Sequence, residues 1–307
     1  MGEDTFLLAD VGGTNTRLAL GTRCGLLPQT LMRYRNDDYP AFSDVLHSYQ
    51  AQHTNQRIQS AAIAVAGQVV EDKARLTNRD WTFEADHLAG EIGCTQVQFV
   101  NDMGGLARAI PVLSLDQKSE LQNVAALRPN DQSLVLGLGT GVNASALLGE
   151  TALAAEIGHT GLSVRMAQII EAALGSTQKG FDTVEDVLSG RGLERLHAIA
   201  TGNHISARDI CQTAAQSAEA RKTCLLYGTV LAELIRELVL HYLPRNGLYL
   251  SGSVARGVMD TPAKQQIINS LASDHPMRAT LEGMPVSLIT DDAAALLGCL
   301  EIAKSAA

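Results

Sequence analysis

Apolar runs interrupted by glycine turns recur along this chain. Phe6 to Ala9 and Arg17 to Leu20 read as two strands around Asp10-Val11-Gly12-Gly13-Thr14. Ile58 to Ala66 reads as a buried strand ending at Gly67, and Val97 to Val100 as a short one ending at Asn101-Asp102. Between them, Leu88 and Ile92 stand at i, i+4 spacing, which predicts a helix over Glu84 to Ile92. Gly104 to Ile110 predicts the next helix, stopped by Pro111. Strands alternating with helices indicate an α/β protein.

The pattern then returns. "SLVLGLGTGVNASALL", residues 133–148, is again apolar run, glycine turn, apolar run. Laying Gly12 on Gly139 aligns both pairs of flanking strands. A duplicated α/β lobe and two unrelated hairpins both account for that alignment. Further on, helices are predicted at Met166 to Leu174, Val184 to Leu188, Ala207 to Ala220 and Thr223 to Leu243. Strands are predicted at Gly247 to Leu250 and Val286 to Thr290. The last helix, Ala293 to Ala303, has Leu296, Leu297 and Leu300 on one face.

Composition narrows the function class. A chain of 307 residues exceeds the usual size of one core, so two lobes are expected. A net charge of -9 argues against a nucleic-acid partner, which would want a basic face. The five cysteines form no CxxC pair, so reduced thiols in the cytosol are expected rather than disulfides or zinc. The acidic start Met1-Gly2-Glu3-Asp4 gives no sign of a signal peptide. Thr223 to Leu243 carries Glu233, Arg236 and Glu237 and reads as a core helix, not a membrane span.

Three glycine turns sit at strand ends: Gly12-Gly13, Gly137 to Gly141, and Gly252. Successive backbone N–H groups in such turns form anion-binding concavities. None fits a Walker sequence, and no clean GxGxxG opens a helix. Two hairpins with Thr beside glycine (Thr14, Thr140) would suit a polyphosphate, with Asp10 near a magnesium ion and its waters. Asp102 follows a buried strand directly, where α/β proteins bind ligands. It is either a proton acceptor in phosphoryl transfer or an N-cap of the following helix. Glu156 and His159 share a short glycine-containing loop. That loop suits a polyol, whose hydroxyls both donate and accept, or is a surface loop with chance polar residues. Too few ligands lie nearby for a metal site. Glu185 reads as a helix surface residue that nothing local distinguishes from Asp186.

Taken together, Asp10 to Arg17, Thr77-Asn78 with Trp81, Asn101-Asp102, Gly137 to Gly141, Glu156 with Gly158-His159, Val187-Leu188-Ser189-Gly190 and Ser251-Gly252 occur in an order that resembles the bacterial glucokinases. These belong to the hexokinase/actin-like ATPase superfamily. The resemblance is to the enterobacterial type; the cysteine cluster of the ROK kinases is absent. It covers nearly the whole chain. It implies a two-lobed actin-like (ribonuclease H-like) α/β fold with the active-site cleft between lobes. The smaller lobe would be 1–103 joined by the helix at 291–307, and the larger 104–290.

The resemblance also implies a cytoplasmic enzyme that makes glucose 6-phosphate from glucose and ATP, feeding glycolysis. Asp102 would be the general base. Asn78, Asn101, Glu156, His159 and Glu185 would bind the sugar with it. Asp10 would face Mg²⁺, with Gly12, Gly13, Thr14 and Asn15 near the phosphates. Gly139, Thr140 and Gly141 would hold the polyphosphate from the other side, and Gly252 would approach the adenosine. Neither nucleic acid nor membrane is an expected partner, and a homodimer is the expected assembly. Another hexose or an amino sugar as substrate, or a non-catalytic sugar sensor, are the alternatives.

Three positions depart from the family pattern. Ile157 stands where glycine is usual, and a β-branched residue resists positive φ, so a differently shaped sugar loop is expected. Asn143 replaces the usual glycine at the end of the second phosphate turn, a mild change because Asn tolerates the left-handed region. Gln68 stands where proline is common.

Overall fold

The computed structural model describes residues 4–53, 56–122, 124, 128–175, 180–271 and 275–305. Met1 to Glu3, and with them most of the acidic start, lie outside the described residues. The chain divides into two compact units: Met1–Ser114 with Glu150–Ala154 and Asp291–Ala307, and Leu115–Gly149 with Ala155–Thr290.

The first unit opens with β1 (Thr5–Val11), β2 (Asn15–Thr22) and β3 (Gly25–Arg35), followed by α1 (Phe42–Gln50) and β4 (Ile58–Val65). A three-stranded antiparallel sheet of β5 (Gly67–Val70), β6 (Lys73–Leu76) and β7 (Thr82–Glu84) comes next. Then come α2 (Ala85–Ile92), β8 (Gln96–Asn101) and α3 (Asp102–Ala109). The main sheet has the order β3-β2-β1-β4-β8, with β1, β4 and β8 parallel. Alternation along β1 divides its side chains between two faces. Leu7, Ala9 and Val11 pack with α1 and α2 residues such as Leu46 and Leu88, while Phe6 and Leu8 meet Leu296, Cys299 and Leu300.

The second unit begins with β9 (Lys118–Gln122), β10 (Gln132–Leu138) and β11 (Val142–Leu148); β12 (Thr151–Leu153) belongs to the first. Its helices are α4 (Val164–Leu174), α5 (Val184–Leu188), α6 (Gly190–Thr201), α7 (Ala207–Thr213) and α8 (Ala218–Tyr242). They are followed by β13 (Leu248–Ser251), α9 (Ser253–Met259), α10 (Ala263–Leu271), α11 (Arg278–Glu282) and β14 (Val286–Ile289). In its sheet, β10, β13 and β14 run parallel, flanked by antiparallel β11 and β9. The topology of β1, β2, β4 and β8 is thus repeated by β10, β11, β13 and β14, as a duplicated lobe requires. The single helix expected over Ala207 to Ala220 is two. α7 ends at Thr213, and the Ser217 hydroxyl accepts from the Ala220 N–H (3.2 Å) to start α8. Among the described residues, no helix is long and apolar enough to cross a membrane.

Finally α12 (Ala294–Ser305) returns to the first unit and packs on β1, β4 and α3. A Cβ on Gly298 would stand 1.7 Å from the Gly105 carbonyl oxygen, so only glycine lets α12 and α3 come this close.

Candidate active site

The strand register of the first unit brings two acids to one sheet edge. Val11, Val65 and Asn101 are aligned across β1, β4 and β8, at the carboxyl ends of three parallel strands. Asp10 precedes that line by one residue and Asp102 follows it. At about 4.8 Å per strand, β1 and β8 lie roughly 10 Å apart.

Asp10 lies opposite Arg17 in the β1–β2 hairpin and accepts from its guanidinium at 2.9 Å. Burial pushes the Asp10 carboxyl above its ordinary pKa, the Arg17 charge and hydrogen bond pull it back, and the charge of Asp292 pushes it up again. The turn itself closes with Gly12 N–H donating to the Asn15 carbonyl (3.0 Å). Neither Gly12 nor Gly13 has positive φ. A Cβ on Gly13 would meet Asn78 Cβ at 3.6 Å, an ordinary packing distance. The turn therefore lies against Asn78, which lines a surface cavity of about 580 Å³ with Gln68, Arg75 and Arg79. Thr14 is exposed, and the Asn15 side chain accepts from Arg33 Nε (3.1 Å). Buried Asn36 braces the turn, donating to the Gly12 carbonyl (2.7 Å) and accepting from Thr16 Oγ1 (2.8 Å). Sequence reading missed Asn36, which sits in a polar stretch with no local signal.

At the other end of the edge, Asn101 takes the N-cap role. It accepts from the Met103 N–H (3.1 Å) and donates to the Gly67 carbonyl (3.0 Å). Asp102 is the first residue of α3, two residues before the expected start, and its carboxylate also accepts from the Met103 N–H (2.9 Å). The helix therefore has a cap without Asp102.

The second unit gathers its own set. β10 and β11 are joined by Gly139-Thr140-Gly141, closed by Gly139 N–H donating to the Gly141 carbonyl (3.0 Å), with Thr140 exposed. Glu185, on α5, accepts from the Val142 N–H (3.0 Å) and pairs with Arg191 (3.3 Å). Asp186 beside it is spent on the helix cap. Burial pushes its pKa up, but hydrogen bonds from Thr183 and the Asp182 N–H, with the Arg195 charge, leave it lowered. Structure thus separates two neighbouring acids that sequence could not. Gly252, at φ +99°, follows β13, and a Cβ there would stand 2.2 Å from the Leu138 carbonyl oxygen. It therefore abuts the end of β10.

Glu156 and His159, both exposed, sit on one 3-10 turn, Ile157–His159, with Glu156 at its N-cap. Ile157 has no positive φ and packs partly into the core, so the loop accommodates it without backbone strain. Asn143 lies in β11, not in a left-handed turn, and its side chain reaches the Glu156 loop. Gln68 lies in β5.

Among the described residues, no group of three or more His, Cys, Asp or Glu side chains is placed to hold a metal by itself. Magnesium in phosphoryl-transfer sites is held by one or two carboxylates together with substrate phosphates and water. A half-buried carboxylate with one guanidinium partner among the described residues, as Asp10 is, fits that donor set.

The glucokinase family model matches residues 7–306 of this chain. The chain belongs to the glucokinase family. A glucokinase of Chromobacterium violaceum is 32% identical over 311 residues, covering 95% of this chain and 87% of the relative. Among solved structures, a glucokinase from an Antarctic psychrotroph superposes with a TM-score of 0.82 at 22% identity, over 99% of this chain and 100% of the other. A ROK family glucokinase from Streptomyces griseus, in complex with glucose and AMPPNP, gives 0.67 at 19% identity, over 99% and 100%. At these identities the structures establish the fold, that of the actin-like ATPases; family membership rests on the sequence match.

Proposed function

We propose that this chain transfers the terminal phosphoryl group of ATP to the 6-hydroxyl of glucose, with Asp102 as general base. The observation that carries the assignment is the strand register that sets Asp10 and Asp102 on one carboxyl-end edge, with the helix cap supplied by Asn101. Asp102 accepts the hydroxyl proton as the oxygen attacks. Asn78, Asn101, Glu156, His159 and Glu185 hold the sugar, and the carboxylates and imidazole suit hydroxyls that both donate and accept. The Gly12-Gly13-Thr14-Asn15 and Gly139-Thr140-Gly141 turns meet the polyphosphate with backbone N–H groups, and Gly252 lies toward the adenosine. Asp10 would hold Mg²⁺, which neutralises charge on the phosphates when bound. Positioning and electrostatics carry most of the rate, because the phosphoryl transition state needs alignment and neutralised charge. A cytoplasmic homodimer completes the reading.

A coupled ADP-release assay over a panel of hexoses and amino sugars tests it. Glucose should give the highest kcat/KM. A different preferred hexose would correct the substrate, and no sugar-dependent ADP release across the panel would overturn the kinase assignment.

A further inference from the structure

We infer that Asn143 is a positioning residue that fixes the Glu156 carboxylate and so sets sugar affinity; this rests on Glu156 being a sugar ligand. Asn143 faces Gly137 across the β10–β11 ladder, and its side chain makes three contacts. Oδ1 accepts from the Ala144 N–H (2.8 Å) and from the Ile157 N–H (3.2 Å). Nδ2 donates to Glu156 Oε2 (3.2 Å). Because Oδ1 faces two backbone donors, the amide has one satisfactory orientation, and that orientation aims its N–H at the carboxylate.

The contacts explain why a side chain stands at this position. Ile157 anchors the turn from below by packing on the core. Asn143 anchors it from the side, through the Ile157 N–H. The carboxylate of Glu156 is then held through one oxygen, and among the described residues the other has no protein partner. An exposed glutamate otherwise samples many rotamers, and fixing one beforehand removes an ordering cost from binding. Asn143 and Ile157 act on the same loop. The two departures from the family pattern are one device.

The test compares wild type with Asn143→Ala and Asn143→Asp, measuring kcat and both KM values, with glucose binding by calorimetry and thermal melting as controls. Asn143→Ala should raise the glucose KM about tenfold or more, as expected for loss of a hydrogen bond to a charged group, and leave the ATP KM within about twofold. Asn143→Asp keeps the acceptor for the Ile157 N–H but sets a second carboxylate against Glu156. Its glucose KM should rise further at neutral pH and fall back as pH drops and the pair shares a proton. His159 lies on the turn, Glu185 faces it from α5 with Arg191 as its ion-pair partner, and β11 brings no other titratable group. All are common to both proteins, so the difference between the two pH profiles isolates the added acid. Unchanged glucose KM and binding in both variants, or equal changes in the two KM values with no pH difference, would overturn the inference while leaving the kinase reading intact. A wild type with no sugar-dependent ADP release would overturn both.

Discussion

The two glycine hairpins are the same backbone device carrying different chemistry. In each, a strand enters a three-residue turn, returns antiparallel, and has a parallel neighbour on its other side. With Gly12 laid on Gly139, Asp10 corresponds to Gly137 and Arg17 to Ala144. The first hairpin carries a half-buried ion pair on its own strands; the second carries none and takes its acid from α5, where Glu185 accepts from the Val142 N–H and pairs with Arg191. The next strands differ too: β8 runs into Asp102, whereas β14 runs into Thr290. The three-residue turn stands in both copies, but the acids proposed for a metal and a proton stand in the first only. The residues proposed for the sugar in the second copy, Glu156, His159 and Glu185, lie outside its hairpin.

Removing the acids should break this asymmetry most severely. Asp102→Asn should lower kcat by about 10²–10⁴-fold, the range for loss of a general base. Glucose binding by calorimetry should be nearly unchanged. Near-normal turnover would return Asp102 to the role of a helix-start residue, and the first unit would have no catalytic claim over the second.

Asp10→Asn comes next. Turnover should drop about 10²-fold, comparable to removing one electrostatic stabiliser, and the Mg²⁺ concentration for half-maximal rate should rise. An unaltered Mg²⁺ dependence would mean that the carboxylate serves only Arg17.

The third prediction concerns the ends of β4 and β13, where the registers set Gly252 of the second copy in the place of Val65 of the first. Gly252→Ala puts a side chain where only the first copy has one. At φ +99°, and with a carbonyl oxygen 2.2 Å from the new Cβ, it should destabilise the protein by about 1–3 kcal/mol or more in urea unfolding. Gly12→Ala, at ordinary φ and 3.3 Å from its nearest neighbour, should cost less. Equal losses would show that the two copies use their glycines alike.

The smallest effect is a slope. Buried His197 contacts Thr223 Oγ1 at 2.9 Å. Burial lowers its pKa, with the Glu219 charge opposing. Between that lowered value and the ordinary value of 6.5, the unfolded chain binds a proton that the folded chain refuses. Stability should therefore fall as pH drops through this window below 6.5, and rise again toward neutrality. His197→Gln should flatten this part of the Tm-against-pH curve, measured by differential scanning calorimetry. An unflattened curve would assign the slope to other groups.

What the sequence disclosed follows from burial. Strands buried on both faces, such as β1, β4 and β10, read as unbroken apolar runs and were placed to within about two residues. β3, an edge strand whose burial pattern alternates irregularly, gives no such run, nor does β9. The α7–α8 break was hidden because alanines 214, 215 and 218 continue a helical composition; only the Ser217 cap interrupts it. At the site, the acids were legible because they follow apolar strands. Asn36 was not, and Asn143 stood out only as a replacement of glycine, because a polar residue bracing a turn looks in sequence like any solvated one. Their roles exist only once β3 and β11 have brought them beside loops distant in the chain.

The Gly105–Gly298 contact has a consequence for synthesis. α3 carries Asp102 at its start and is made early, yet the helix that packs against it is made after the entire second unit. Until α12 emerges from the ribosome, the α3 surface and the outer face of β1 have no cover from it. The first unit is thus closed by a late segment, and a nascent chain holding every proposed catalytic residue but lacking α12 should be inactive. Segments buried together but made far apart also leave apolar surface exposed for longest during folding. This unit, rather than the one with the larger core, is where a slow ribosome would call for a chaperone.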